Sequence, residues 1–217
     1  MHRCYQGAAA ALTVVAGIAL APAPAEAATY TAPLRTAVSA LPTATEVRAG
    51  YRRTLFPIWK DADHDGCNTR NEVLIAEAKT KPTVSAGCHL TGGRWYSYYD
   101  RTYWTLATDL DIDHVVPLAE AWDSGARRWT TAKRQAYAND LGDKRSLVAV
   151  TDNVNQAKGD QDPGTWMPPA ASARCRYLGE FVAVKLRWRL TVNPAEKRAM
   201  TRYAAACPNA TITVTRA

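Results

Sequence analysis

The sequence predicts an α+β domain, and three observations carry that expectation. The segments 110–116 and 147–151 each hold a short apolar run that reads as a buried strand and delivers polar side chains where it stops. Residues 173–189 place Tyr177, Phe181, Val184 and Trp188 on one helical stripe, and Asn193–Pro194 opens a second helix reaching about residue 206. Cys67, Cys88, Cys175 and Cys207 remain once an export signal is removed, and an even count in an exported chain reads as two disulfides.

That signal is residues 1–27: a weakly basic start at His2 and Arg3, an almost wholly apolar stretch, and Ala25-Glu26-Ala27 as a small-x-small cleavage site. The stretch is too short and too rich in Ala and Pro for a membrane span, so no membrane association is expected after cleavage. Residues 28–44, rich in Ala, Thr and Pro, read as a flexible lead-in to a single domain over 45–217. The formal charge of +7 survives trimming, because the signal carries one Arg and one Glu. A basic exported domain suits an acidic polymer such as nucleic acid, or an anionic cell surface; charge alone does not choose.

From Thr45 the pattern turns helical through Val47, Tyr51, Leu55 and Trp59. Asp61, Asp63, Asp65, Gly66 and Glu72 then repeat the spacing of an EF-hand-type calcium loop, which lets a short segment fold several carboxylates around one Ca²⁺. The competing reading is a turn capping a helix from Thr69, with Glu72 completing a capping box. A short helix over 72–79 ends before Pro82, and residues 92–105 read as an aromatic hairpin turning at Asp100-Arg101. Its aromatics could stack on bases, though in a hairpin they more often pack on a core. Helices are expected at 118–122 and from Thr130 or Thr131 to about Asn139; Arg128, Lys133 and Arg134 beside the latter are either a solvated face or a phosphate-tracking one.

The two C-terminal helices are of similar length, with Cys175 at the start of one and Cys207 at the end of the other. Folded antiparallel they pair Cys175–Cys207, which leaves Cys67–Cys88. Zinc is the rival reading of four cysteines, but no Cys-x-x-Cys spacing supports it.

The chemistry concentrates between 110 and 158. Asp113-His114 ends the first apolar run, and Asn155 and Lys158 follow the second. Phosphodiester hydrolysis needs an activated water and a positive centre for the departing oxygen. His114 supplies a neutral imidazole near pH 7 as general base. Asp113 and Asn155 offer hard oxygen ligands suited to Mg²⁺ or Mn²⁺, with positions open for water and phosphate. Lys158, one turn past Asn155, could hold a phosphate oxygen.

These residues resemble the HNH, or ββα-metal, endonucleases, in the branch containing the C-terminal domain of the GmrSD restriction endonucleases and many exported actinobacterial proteins. The stretches that carry the resemblance are 111–122 (DIDHVVPLAEAW), Ala138-Asn139-Asp140-Leu141, 155–166, and upstream 65–74 (DGCNTRNEVL). The resemblance implies two antiparallel strands and a helix gripping one metal inside a mainly helical α+β domain. It implies His114 as base, Asp113 and Asn155 as ligands, and Ser146 where the family has the Asn that orients the base. Glu120 reads equally as a ligand behind the metal or of a second one, or as an acid on a helix surface. The activity implied is hydrolysis of DNA, and RNA as a further substrate, with low sequence specificity, by a monomer. The alternative of a different class is a non-catalytic, calcium-stabilised exported module binding an anionic polymer, which would require none of the Asp-His…Asn…Lys set.

Overall fold

The computed structural model describes residues 1–2 and 28–217; the expected signal therefore lies, but for its first two residues, outside the described residues. The segment expected to be a flexible lead-in is ordered: it forms strand β1 (Thr29–Pro33) and helix α1 (Leu34–Ala40). Its strand has Tyr30 and Ala32 turned inward, and its antiparallel partner is the last strand of the chain, Thr29 facing Thr215 and Pro33 facing Thr211. The alternation is short and diluted by Thr and Pro, and the partner lies at the far end of the sequence, so local composition read as loop. Helix α1 buries Leu34, Ala37 and Val38, and Lys197 satisfies its C-terminal carbonyls at Val38, Ser39 and Leu41.

The helix expected over 45–59 is not formed. The chain there is irregular apart from one 3₁₀ turn, Arg53–Leu55. Gly50, at φ +79, and Pro57 interrupt any continuous helix, and side chains take the freed carbonyls: Arg134 Nε bonds Leu55 O and Asn139 Nδ2 bonds Pro57 O.

Helix α2 (Thr69–Glu77) is capped by Asn68, whose side chain accepts from Asn71 N. Two small hairpins follow, β2 (Thr83–Ser85) with β3 (His89–Thr91) and β4 (Trp95–Ser97) with β5 (Thr102–Trp104). The second is the expected aromatic hairpin, and it packs inward: Trp95 is buried and donates Nε1–H to Leu74 O, and Tyr98 and Tyr99 are buried at the turn.

The central ribbon pairs β6 (Leu110–His114) antiparallel with β7 (Leu147–Thr151), His114 facing Leu147. Between them lie α3 (Leu118–Asp123) and α4 (Thr131–Ala138), the latter capped by Thr130. Helix α5 (Asp152–Lys158) leaves β7 without a break and stops at Gly159, whose φ of +53 suits a residue without a side chain. Every residue of β7 is buried, as its unbroken apolar sequence requires.

The C-terminal pair forms as expected. Helix α6 (Arg174–Arg187) buries Tyr177, Phe181 and Val184; α7 (Pro194–Ala206) starts at a full capping box of Asn193 and Glu196. Burying a side chain such as Phe181 contributes roughly 1.5–3 kcal/mol. A last strand, β8 (Thr211–Thr215), absent from the sequence expectation, completes the ribbon with β1. Both disulfides form as paired from the sequence, Cys67–Cys88 and Cys175–Cys207, with Cα separations of 5.0 and 5.5 Å.

Candidate active site where the central ribbon meets its helix

His114 ends β6 and its ring lies between two aromatics, Trp59 at 5.7 Å and Tyr137 at 6.4 Å between centroids, both near-parallel. Its Nε2 is 2.9 Å from Ala138 O. A carbonyl oxygen can only accept, so Nε2 carries the proton and Nδ1 keeps its lone pair. Burial lowers the imidazole pKa to about 4, against the pull of the Ala138 carbonyl and aided by the Arg53 and Lys158 charges. The ring is therefore a neutral acceptor at physiological pH.

Asp113, one residue earlier on the opposite face of β6, is held from two sides. Lys158 Nζ lies 2.9 Å from its Oδ1, and Tyr99 donates its hydroxyl to Oδ2 at 2.6 Å. Burial raises the Asp113 pKa, and Lys158 and Tyr99 oppose that rise; burial likewise lowers the Lys158 pKa. Asn155, one turn into α5, donates Nδ2–H to Asp111 Oδ2 at 3.1 Å, which orients the amide and leaves its oxygen as acceptor.

Asp113, His114 and Asn155 meet in one cavity of about 190 Å³, joined by Arg53, Gln156 and Asp160. They converge because β6 ends there and α5 begins beside it. A larger hollow of about 570 Å³ lies elsewhere, walled by Glu77, Lys79, Tyr98, Lys144, Arg176 and Glu180; it holds no imidazole and no amide.

Several sequence expectations need correction. Lys158 does not present its charge to a phosphate: it is fully buried, bonded to Asp113 and to His114 O, and so positions the Asp-His pair. Ser146 does not meet the imidazole; its hydroxyl donates to Asp140 Oδ2, and the carbonyl on the ring is Ala138's. The amide that matters locally is the neighbouring Asn139. It bonds Pro57 O, Gln135 O, Lys60 N and Thr69 Oγ1, tying the end of α4 to the Trp59 segment and the start of α2. Glu120 is neither at this cavity nor on the surface; it is buried against Lys185. Arg134 is buried, with its guanidinium on Leu55 O, Trp129 O and Thr131 Oγ1, so it tracks no phosphate. Lys133 lies over the Trp129 and Trp188 rings, and Arg128 is exposed; neither lines the cavity. The cation that does line it is Arg53, from the 3₁₀ turn in the segment expected to be helical.

In the acidic loop, Asp61, Asp63 and Asp65 each bring a carboxylate oxygen within 4.8 Å of the others. Glu72 faces the same group: burial and then the three aspartates raise its pKa. The turn of the competing reading does form, with Asp63 Oδ1, Asp61 Oδ2 and Asp65 Oδ1 accepting from Asp65 N, Gly66 N and Cys67 N ahead of a helix from Thr69, but its capping box does not: Asn68 caps α2, and Glu72 Oε2 and Asp61 Oδ1 are buried atoms without a hydrogen-bond partner.

Fold and cavity together define a disulfide-bonded mixed α/β domain with a histidine–carboxylate–amide pocket at a strand–strand–helix junction. The chain belongs to the family of the C-terminal domain of GmrSD restriction endonucleases, which matches residues 69–203. An uncharacterized secreted protein of the fungus Arthroderma benhamiae is 49% identical over 158 residues, covering 73% of this chain and 76% of the relative. No solved structure matches the chain. No helix among the described residues is long and apolar enough to cross a membrane.

Proposed function

We propose that this protein is an exported, metal-dependent endonuclease that hydrolyses phosphodiester bonds of DNA, and of RNA as a further substrate. The observation that carries the reading is the commitment of His114 Nε2 to Ala138 O, which leaves Nδ1 as a neutral acceptor on a ring that lines the same cavity as Asp113 and Asn155. Family membership supports nuclease chemistry, and the secreted relative, the two disulfides and the leader-like residues 1–27 support export.

In the reaction, His114 Nδ1 takes the proton of the attacking water, and Trp59 and Tyr137 keep the ring from turning. Lys158 and Tyr99 hold Asp113 from behind, and Asp111 holds the Asn155 amide. Arg53 at the cavity draws in the phosphate. The donors present are carboxylate and amide oxygens without thiolate, which fits Mg²⁺ or Mn²⁺: Asp113 and Asn155 would hold the ion, which would stabilise charge on the departing oxygen. Each Asp113 oxygen spends one lone pair on Lys158 or Tyr99 and keeps another.

Purified protein should nick plasmid in Mg²⁺ or Mn²⁺ and stop in EDTA. His114→Ala should lower cleavage by about 10²–10⁴ with nucleic-acid affinity kept. Cleavage by that variant at the parent rate would refute the assignment.

The loop from Asp61 to Glu72 is proposed as a structural Ca²⁺ site, supported by the unpartnered Asp61 and Glu72 oxygens beside the aspartate cluster. Chelation should lower the melting temperature of the parent more than that of Asp63→Asn/Asp65→Asn; equal losses would remove the loop from consideration.

A further inference from the structure

The aromatic hairpin has a second face, which the catalytic cavity does not use. Side chains alternate along β4. Trp95 and Ser97 are buried, and Tyr99 beyond them bonds Asp113; Arg94, Tyr96 and Tyr98 stand on the other side. Tyr103 of β5 is paired opposite Tyr96, with ring centroids 4.7 Å apart, and is half-exposed. The Arg94 guanidinium lies 3.9 Å from the Tyr103 centroid, and the Arg176 guanidinium, from α6, lies 3.8 Å from that of Tyr98. Cations therefore close both ends of a short row of rings.

Tyr96, Tyr98 and Arg176 also wall the hollow of about 570 Å³, a volume that admits a nucleotide. Lys79 and Lys144 are exposed on the same wall, and among the described residues neither is paired with a carboxylate. The buried Glu180 uses both oxygens, Oε1 accepting from Arg176 Nε at 2.8 Å and Oε2 from the Tyr98 hydroxyl, so it fixes guanidinium and ring together. The Nη groups of Arg176 keep their donors free among the described residues. Glu77, the other acid of the hollow, gives Oε2 to Ala149 N; burial raises its pKa to about 7, which weakens its repulsion of an anion near neutral pH.

Ring faces set beside unpaired cations fit a polymer that offers a flat group with each negative charge. A nucleic-acid strand does so, one base to each phosphate. A duplex keeps its bases stacked inside, and an unpaired strand can turn one outward onto a ring.

We propose that this face binds single-stranded nucleic acid, with a base on Tyr96 in the hollow and backbone phosphates on Lys79, Lys144 and Arg176. The choice of polymer rests on the nuclease reading above. The hollow and the catalytic cavity share no lining residue, yet the hairpin turn serves both: Tyr98 walls the hollow, and the adjacent Tyr99 holds Asp113. One short element thus carries the anchor and a support of the proposed metal ligand, and the anchor favours substrates with an unpaired segment.

Fluorescence anisotropy of a labelled oligothymidylate of about ten nucleotides tests this, in a His114→Ala background so that the strand survives. Tyr96→Leu keeps an apolar side chain against the core and removes the flat ring. It should weaken single-strand binding about tenfold, as loss of one stacked base implies, and should weaken binding of the same strand in a duplex far less. Lys79→Ala/Lys144→Ala leaves no buried partner behind, so its melting temperature should stay at the parent's. Its slope of log affinity against log salt should be shallower by about 1.4 units, at about 0.7 per phosphate contact on a single strand. Equal losses for strand and duplex, or unchanged single-strand binding in either variant, overturns the proposal. Displacement of the strand by polygalacturonate as readily as by unlabelled strand overturns it in favour of an acidic polysaccharide; the lysine pair and this competition decide where Tyr96→Leu fails to fold. Binding is read without cleavage, which keeps the two readings apart. A chain that holds the strand through Tyr96, while its parent cuts no plasmid, keeps this site and loses the nuclease; a parent that cuts plasmid, with binding indifferent to Tyr96, does the reverse.

Discussion

Lys158 Nζ and Asp113 Oδ1 lie 2.9 Å apart with the lysine wholly out of solvent and the aspartate nearly so. The pair connects the end of α5 to the end of β6, and a further bond from Lys158 to His114 O fixes the backbone of the proposed base. A lysine in that setting acts through structure, which separates it from a phosphate-binding lysine by experiment.

Lys158→Met leaves the Asp113 carboxylate buried with Tyr99 as its remaining partner. Removing one member of a buried pair costs about 3–5 kcal/mol. The expected outcome in urea is a lower midpoint with an unchanged slope, and a metal requirement for cleavage raised as Asp113 loses its fixed orientation. Adding Asp113→Asn should recover part of the stability, since no unpaired charge is then buried. A variant of parental stability with weaker DNA binding would restore the phosphate role.

Arg53 should behave in the opposite way. Its side chain is exposed at the cavity and its removal exposes no buried partner, so Arg53→Ala should change stability by no more than about 0.5 kcal/mol. Binding should weaken with KM rising more than kcat falls. The slope of log affinity against log salt should become shallower by about one unit, the signature of one lost phosphate contact. An unaltered salt slope would place the phosphate away from Arg53.

The elements whose signals are local were legible in the sequence. The C-terminal helix pair declared itself through an apolar stripe, an Asn-Pro cap and two cysteines at matching ends; β7 declared itself as an apolar run of strand length, and β6 through Leu110 and Ile112 leading into Asp113-His114. What failed were features set by distant partners. Strand β1 exists because β8 lies beside it, and residues 45–59 stay irregular because Arg134 and Asn139 take their carbonyls. At the site, residue types were readable and partners were not. Nothing in the spacing of Lys158 distinguishes a buried ion pair with Asp113 from a free ammonium. Ala138 acts through a backbone oxygen, which no residue type marks: a nearby carbonyl could be expected to meet the imidazole, but only its place beside Asn139, in a stretch that carries the family resemblance, pointed to this one. Tyr99, in a hairpin turn read for its aromatic character, carries no local mark of its hydroxyl bond to Asp113.

Glu77 gives a pH test free of the proposed metal ligands. Its Oε2 accepts from Ala149 N on β7 at 2.9 Å, and burial lifts its pKa from 4.5 to about 7, opposed by the Ala149 bond, Arg176 and Lys79 and assisted by Glu180. The folded chain therefore holds a proton on Glu77 over a range in which the unfolded chain has released it. By linkage, this contribution is fully present below about pH 4.5 and is lost as pH rises through about 7. Glu77→Gln keeps an acceptor for Ala149 N and has no charge to desolvate. The variant should match the parent near pH 4.5, and between pH 5 and 8 the parent should lose stability relative to it. Chemical denaturation of both proteins across that range reads the difference directly, and the histidines, common to both, cancel. Parallel stability curves for parent and Glu77→Gln would mean that Glu77 is ionised in the folded protein throughout, with the cations of the adjoining hollow, Lys79, Lys144 and Arg176, outweighing its burial.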